Sequence, residues 1–236
     1  MKKVVHLADS RGLTDNGWLH GYHSFSFGDY YDPQRVHFGM LRVLNDDTIA
    51  PRMGFKAHPH ENMEIVTIPL QGTLEHRDNM GNRFLIEKGD VQIMSAGTGI
   101  VHSENNPSSD EPVSLLQIWI LPAKKNIAPR YEQRAFAPEL RHNQLQIAVS
   151  PEPDSETLWI NQRAYISLLD LDKETSFTYT MQESGQGVYL FVVSGALNVA
   201  GEQLRPRDAI GLWEAPSIHF QATSDASLVL LEVPMH

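Results

Sequence analysis

The stretches GFKAHPH, residues 54–60, and GTGIVHSENN, residues 97–106, decide how this chain is interpreted. Each contains a pair of potential metal ligands spaced two residues apart, namely His58 with His60 and His102 with Glu104. On a β-strand, side chains two residues apart project from the same face. If the two strands face each other inside a barrel, all four side chains converge on one point. Three neutral imidazoles and one carboxylate suit a divalent first-row transition metal.

Short strand-like segments separated by Gly and Asn turns surround these two stretches. The sequence predicts a hairpin turn at residues 79–82, and it predicts a strand over residues 38–44 that ends in a turn at 45–47. Residues 131–135 are predicted to form a short helix. Short strands at nearly regular spacing are typical of an all-β sandwich or barrel.

The second half of the chain repeats the first in outline. Gly72 corresponds to Gly195, and Asp90 corresponds to Asp208. Several prolines mark the junction, the last of them being Pro153. We therefore predict two similar β-domains, an N-terminal metal-binding domain over residues 1–135 and a C-terminal domain over residues 136–236.

The second domain is predicted to bind no metal. The offset between Gly72 and Gly195 places Met181 and Glu183 at the positions of His58 and His60, and a similar offset aligns His219 with His102. One histidine without a second imidazole is not a metal site. Most other histidines, including His76, are interpreted as surface or core residues, and the same interpretation is favoured for His23.

Composition excludes several classes of function. The net charge is −10, and no basic patch with interleaved aromatic residues is present, so no nucleic-acid partner is expected. No apolar run approaches the ~18 residues of a membrane span. The chain has no cysteine, which excludes thiolate metal sites and a cysteine nucleophile. Its N-terminus lacks the apolar stretch of a signal peptide, from which a cytoplasmic location is expected.

The spacing of the motif residues resembles that of a known family. Gly54-x3-His58-x-His60-x3-Glu64-x7-Gly72 resembles the first cupin motif, and Gly89-x12-His102-x3-Asn106 resembles the second. More specifically, the chain is similar to the pirin family, in its bacterial branch of quercetin 2,3-dioxygenases. Further matching segments are HSFSF at residues 23–27, Leu41-Arg42-Val43, and LQIW at residues 116–119.

The resemblance implies a bicupin of two jelly-roll β-barrels with one metal in the N-terminal barrel. It implies that Glu104 is the fourth ligand, in the place that Glu64 would take in a general cupin. It implies iron(II) as the metal, although Mn, Co, Ni, Cu and Zn also suit these ligands. The implied reaction is the opening of the heterocyclic ring of a flavonol by dioxygen, with release of carbon monoxide.

Four protein ligands on an octahedral metal leave two positions for substrate and dioxygen. Glu104 is the candidate base for the flavonol 3-hydroxyl, because it is the only anionic member of the set. Phe55, Met94 and Gln117 are predicted to line the pocket. The alternative is a protein of the pirin type that binds a protein partner in a metal-dependent way. An enzyme needs a pocket open to solvent at the metal, whereas a binding protein needs only a metal-dependent surface.

Overall fold

The computed structural model describes residues 1–152 and 156–236, and it is built almost entirely of β-strands. The strands of the first half are β1 (Lys2–His6), β2 (Gly12–Asp15), β3 (Leu19–His23), β4 (Leu41–Ile49), β5 (Gly54–His60), β6 (Glu64–Gln71), β7 (Thr73–Asp78), β8 (Arg83–Glu87), β9 (Asp90–Ser95), β10 (Ile100–Asn105), β11 (Val113–Ile120) and β12 (Arg130–Ala135). Those of the second half are β13 (Gln146–Ser150), β14 (Leu158–Trp159), β15 (Tyr165–Leu171), β16 (Ser176–Thr180), β17 (Gln186–Ser194), β18 (Leu197–Val199), β19 (Glu202–Leu204), β20 (Ala209–Trp213), β21 (Ser217–Ala222) and β22 (Ala226–Pro234). Short 3-10 helices cover Ala8–Ser10 and Pro138–Arg141.

Each half is a jelly-roll barrel made of one seven-stranded and one four-stranded sheet, as the sequence predicts. In the first half the sheet orders are β12-β9-β6-β11-β4-β3-β2 and β5-β10-β7-β8. In the second they are β1-β20-β17-β22-β15-β13-β14 and β16-β21-β18-β19. The two sets of sheets correspond except at one edge, where β2 pairs antiparallel with β3 but β14 pairs parallel with β13. This correspondence confirms the internal repeat that the glycine and aspartate spacing indicates.

The first strand of the chain crosses to the second half. β1 pairs with β20, from Lys2 opposite Trp213 to His6 opposite Ala209. The corresponding edge of the first barrel is closed by β12, which pairs with β9. Division of the chain at residues 135 and 136 remains a prediction, and residues 2–6 lie in the sheet of the second half.

Alternation along β11 shows how the sheets separate the site from the domain interface. Leu116, Ile118 and Ile120 belong to an apolar cluster that also contains Val229 and Leu231 of the second half. The intervening residues of β11 face the interior of the first barrel. Because side chains alternate along a strand, one strand supplies both the interdomain core and the site.

Two local predictions were wrong. Residues 45–47 do not form a turn, because β4 continues through them to Ile49 and pairs with β3 on one side and β11 on the other. Residues 131–135 do not form a helix, because pairing with β9 makes them the edge strand β12. In both cases strand pairing outweighs the local preference of the sequence.

The hairpin turn predicted at residues 79–82 is confirmed, because it connects β7 to β8. Pro153 lies outside the described residues. No helix within residues 1–152 and 156–236 is long and apolar enough to cross a membrane.

Candidate metal centre

The four residues predicted to bind the metal lie on two strands that are neighbours in one sheet. β5 and β10 pair antiparallel, and His102 lies directly opposite His58. The sequence-based prediction assumes two strands that face each other inside the barrel, whereas the structure makes them neighbours in one sheet. Direct pairing brings two imidazoles together more simply, since residues opposite each other in an antiparallel pair have Cβ atoms about 4.5–5.5 Å apart.

Three imidazoles form a compact cluster. The candidate ligand atoms of His58, His60 and His102 all lie within 4.8 Å of one another. The ring centroids are 4.4 Å apart for His58 and His102, and 4.9 Å apart for His60 and either neighbour. Imidazole is a common ligand of divalent zinc, copper, iron and nickel, so this cluster can hold one divalent metal ion.

The protonation of the three rings suits metal binding. His58 Nδ1 lies 2.7 Å from the carbonyl oxygen of Lys56, which can only accept, so Nδ1 is the donor and Nε2 is the ring nitrogen left to bind a metal. Burial and the neighbouring His58 lower the pKa of His60 to about 4. Burial and the surrounding histidines lower the pKa of His102 to about 2. Neutral imidazoles with free lone pairs are what a metal requires.

The buried ring of His102 gives a physical reason to expect a ligand at this site. It is buried, and neither of its ring nitrogens has a hydrogen-bond partner among the residues that the structure describes. Buried polar atoms are normally satisfied, because an unsatisfied one costs about 1–3 kcal/mol. A bound metal would satisfy one of these two nitrogens.

Glu104 is fully enclosed beside the cluster but is held by another side chain. Its two carboxylate oxygens accept hydrogen bonds of 3.1 and 3.2 Å from Nε2 of Gln117. Burial raises the pKa of Glu104, and the hydrogen bond from Gln117 opposes that shift. A register shift between His102 and Glu104 places Glu104 opposite Phe55. The compact cluster of ligand atoms therefore comprises the three histidines, and ligation by Glu104 remains a prediction.

Glu64 lies on the opposite face of its sheet from the cluster. It begins β6, where Ile65 lines the cavity at the histidines and Val66 belongs to the interdomain core. Its Oε2 accepts hydrogen bonds from Ser95 Oγ at 2.7 Å and from the backbone N–H of Asn161 at 3.2 Å. Asn161 belongs to the second half, so Glu64 joins the two halves.

His76 is a buried histidine near the site that the sequence interpretation missed. It lies on β7 opposite Glu104, its ring centroid is 5.3 Å from that of His102, and its Nε2 lies 3.0 Å from Asp78 Oδ2. A sequence signal did exist. Leu74 and His76 are two residues apart on one strand, so an inward Leu74 implies an inward His76.

A cavity of about 810 Å³ adjoins the histidine cluster. Its apolar wall includes Trp18, Phe27, Phe55, Ile65 and Trp119, and its polar wall includes His23, Asn45, Asp47 and Gln117. The prediction that Phe55 and Gln117 line the pocket is therefore confirmed, whereas Met94 belongs to a separate apolar cluster with Ile65 and Ala96. Because Met53 and Lys56 in the wall are exposed, the cavity reaches the protein surface.

The size and composition of this cavity fit a small ligand. Cavities of roughly 300–1,000 Å³ with mainly apolar walls and a few placed polar groups typically bind small molecules. A planar aromatic molecule would find several aromatic faces here, because the ring of Trp119 lies 4.9 Å from that of His60 and 5.4 Å from that of Phe27.

Strand pairing identifies the equivalent positions in the second half. Glu104 lies opposite His76 in the first half, and Phe220 lies opposite Val199 in the second. His102 lies opposite His58, and Ile218 lies opposite Tyr179. The alignment of His219 with His102 was therefore wrong by one residue. His219 is exposed, whereas its neighbours Ile218 and Phe220 are buried.

Comparisons with known proteins agree with this description over the whole chain. The family model for Pirin matches residues 5–120, and the family model described as the quercetinase C-terminal cupin domain matches residues 147–233. The quercetin 2,3-dioxygenase of Escherichia coli (strain K12) is 40% identical over 227 residues, which cover 96% of both proteins.

A second relative and a solved structure extend the comparison. A protein of Pasteurella multocida, named as a putative quercetin 2,3-dioxygenase, is 42% identical over 97% of this chain and 98% of its own length. The crystal structure of the bacterial pirin YhhW from Escherichia coli in complex with nickel(II) is similar with a TM-score of 0.93, at 39% identity and with 99% of both chains covered. As its motifs predict, the chain therefore belongs to the pirin family of bicupins.

Proposed function

We propose that this protein is a metal-dependent dioxygenase that opens the heterocyclic ring of flavonols such as quercetin. The observation that carries the proposal is the position of three imidazoles and one buried carboxyl group in the wall of an aromatic cavity that reaches the surface. The activity for which the Escherichia coli relative is named supports it. The cavity also favours an enzyme over the alternative of a pirin-type protein that acts only by binding a partner.

His58, His60, His102 and Glu104 would hold one divalent transition metal. Iron(II) is the metal that the resemblance favours, while the related Escherichia coli structure contains nickel(II). When bound, the metal would act as a Lewis acid that lowers the pKa of the substrate hydroxyl and brings substrate and dioxygen together. Unlike a cupin that uses the glutamate of its first motif, this chain turns Glu64 towards the other domain.

Glu104 would take the proton of the flavonol 3-hydroxyl. A general base works best when its pKa is near the working pH, and burial raises the pKa of Glu104 in that direction. Gln117 donates to both carboxylate oxygens and thereby fixes the direction in which the base points. Phe27, Phe55 and Trp119 would hold the planar rings and keep water away from the reacting atoms.

The test is anaerobic reconstitution with each candidate metal, followed by an oxygen-uptake assay over a panel of flavonols. We expect uptake that depends on both metal and flavonol, and loss of uptake in His58→Ala together with loss of bound metal. Absence of uptake with every flavonol, in protein shown to carry one metal per chain, would refute the dioxygenase proposal.

A further inference from the structure

Asp47 places a buried carboxyl group in the wall of the cavity. Only 4% of the residue is exposed, it lines the same cavity as the histidine cluster, and its Oδ1 has no hydrogen-bond partner among the described residues. An unsatisfied buried polar atom is costly. The carboxyl group of Asp47 therefore stands in the wall of a ligand-sized cavity with capacity for a further hydrogen bond.

The register of the strands places Asp47 at a different level of the cavity from Glu104. On β4, Asn45 lies opposite Gln117, the residue that holds Glu104, while Asp47 lies opposite Leu115 and Gly21. Two residues along a strand correspond to about 7 Å. Asp47 therefore lies about one strand repeat along β4 from the position opposite Gln117, the residue that holds Glu104.

Three other polar side chains in this part of the wall form a chain of hydrogen bonds. Thr14 Oγ1 lies 2.8 Å from His23 Nε2, and His23 Nδ1 lies 2.8 Å from Asn45 Oδ1. The amide of Gln117 is engaged by Glu104. Asp47 Oδ1 has no such partner among the described residues, and in the same cavity wall Trp119 Nε1 shares this property.

Gly21 makes room for the carboxyl group of Asp47. A Cβ atom at residue 21 would lie 2.4 Å from Asp47 Oδ1, closer than non-bonded atoms allow. The absence of a side chain on β3 therefore lets Asp47 take its position. This gives a way to displace the carboxyl group without altering it.

The carboxyl group can both donate and accept a hydrogen bond. Burial, and then the negative charges of Asp46 and Glu104, raise the pKa of Asp47 to about 8. In its protonated form the group presents one O–H donor as well as acceptor oxygens. A hydroxyl group is the partner that uses both.

We propose that Asp47 hydrogen-bonds a flavonol hydroxyl other than the one that reacts, and that it thereby selects polyhydroxylated substrates. This inference rests on the proposed function and adds a specificity-determining residue to it. The expected partner of Asp47 is a phenolic hydroxyl group. It must be carried by a planar ring system that is long enough to reach from Glu104 to Asp47.

The test compares two ligands on three variants. Quercetin carries several hydroxyls, whereas 3-hydroxyflavone carries only the reacting one. Asp47→Ala removes the carboxyl group, Asp47→Asn keeps a donor and an acceptor, and Gly21→Ala displaces the native side chain. Dissociation constants are measured anaerobically on metal-loaded protein by quenching of tryptophan fluorescence, because Trp18 and Trp119 line the cavity. Metal content and melting temperature are recorded for each variant.

Asp47→Ala and Gly21→Ala should each weaken quercetin binding about tenfold, the typical worth of one hydrogen bond. Neither should change the binding of 3-hydroxyflavone, and Asp47→Asn should resemble the wild type. Equal weakening of both ligands, or no change in either, would overturn the inference. If Asp47→Ala does not fold, the contrast between Gly21→Ala and Asp47→Asn decides it. A wild type that binds neither flavonol would overturn the proposed function as well, whereas a wild type that binds both regardless of Asp47 overturns only this inference.

Discussion

Glu64→Gln should leave metal binding and turnover nearly unchanged, whereas Glu104→Gln should slow the reaction, although both residues are buried in the first half. Glu64 faces the second half, where its Oε2 accepts from Ser95 Oγ and the backbone of Asn161. Glutamine keeps an oxygen that can accept both bonds. Glu64→Gln should therefore retain metal and flavonol oxygenation at nearly the wild-type level.

The substitution Glu64→Ala measures how much the hydrogen bonds of Glu64 stabilise the folded protein. That change leaves two buried donors without an acceptor, and each unsatisfied donor costs about 1–3 kcal/mol. The expected loss is therefore about 2–6 kcal/mol of stability. In a chain of this size each kcal/mol lowers the melting temperature by ~2–4 °C, so differential scanning calorimetry should show a decrease of at least ~4 °C.

Glu104→Gln should act on the reaction instead. The amide keeps the shape and one coordinating oxygen but cannot accept a proton at neutral pH. Loss of a general base typically lowers the rate ~10²–10⁴-fold, and single-turnover assays on metal-matched samples should show a loss in that range. The three histidines should still bind metal, although more weakly.

The reverse pattern would refute this division of roles. If Glu64→Gln abolished metal binding or turnover while Glu104→Gln left both intact, the first-motif glutamate would be the ligand, as in general cupins. An unchanged melting temperature in Glu64→Ala would show that the contact with Asn161 does not hold the two halves together.

Three further outcomes are expected. Elemental analysis should show most metal lost in His58→Ala and retained in His219→Ala, because His219 lies on an exposed face; equal loss in both would contradict this. Chelation should lower the melting temperature of the first half, since a metal bound only by the folded state stabilises it; an unchanged transition after proven metal removal would exclude that coupling. Burial lowers the pKa of His6 to about 4 from 6.5, so the unfolded state binds a proton that the folded state does not. The stability measured by urea unfolding should therefore fall as pH decreases from about 6.5 to about 4, less steeply in His6→Gln, and parallel slopes would contradict this.

The central part of the site could be predicted from the sequence because strand geometry is local. Side chains two residues apart on a strand share a face, so the paired spacing of His58 with His60 is enough to indicate a common direction. The relative position of the two pairs is not local. It depends on β5 and β10 being neighbours in one sheet, and spacing alone does not contain that information.

Residues 45–47 show why the rest of the cavity could not be predicted. Three polar residues in succession favour a turn. In the folded chain they lie in a strand that is paired on both sides, and Asp47 is buried as a result. The residue that we propose to select the substrate was therefore hidden by the same local preference that predicted a turn.

Duplication preserved the framework of the two halves and changed what their equivalent strands present inwards. Pairing places Tyr179, Ile218 and Phe220 where the first half has His58, His102 and Glu104. All three belong to the apolar cluster that fills the second barrel. A shift of one residue along a strand exchanges its two faces, so His219, although present in the sequence, points away from that interior. Whether a cupin half can bind a metal thus depends on which face of the strand carries the histidine, and counting histidines does not determine it.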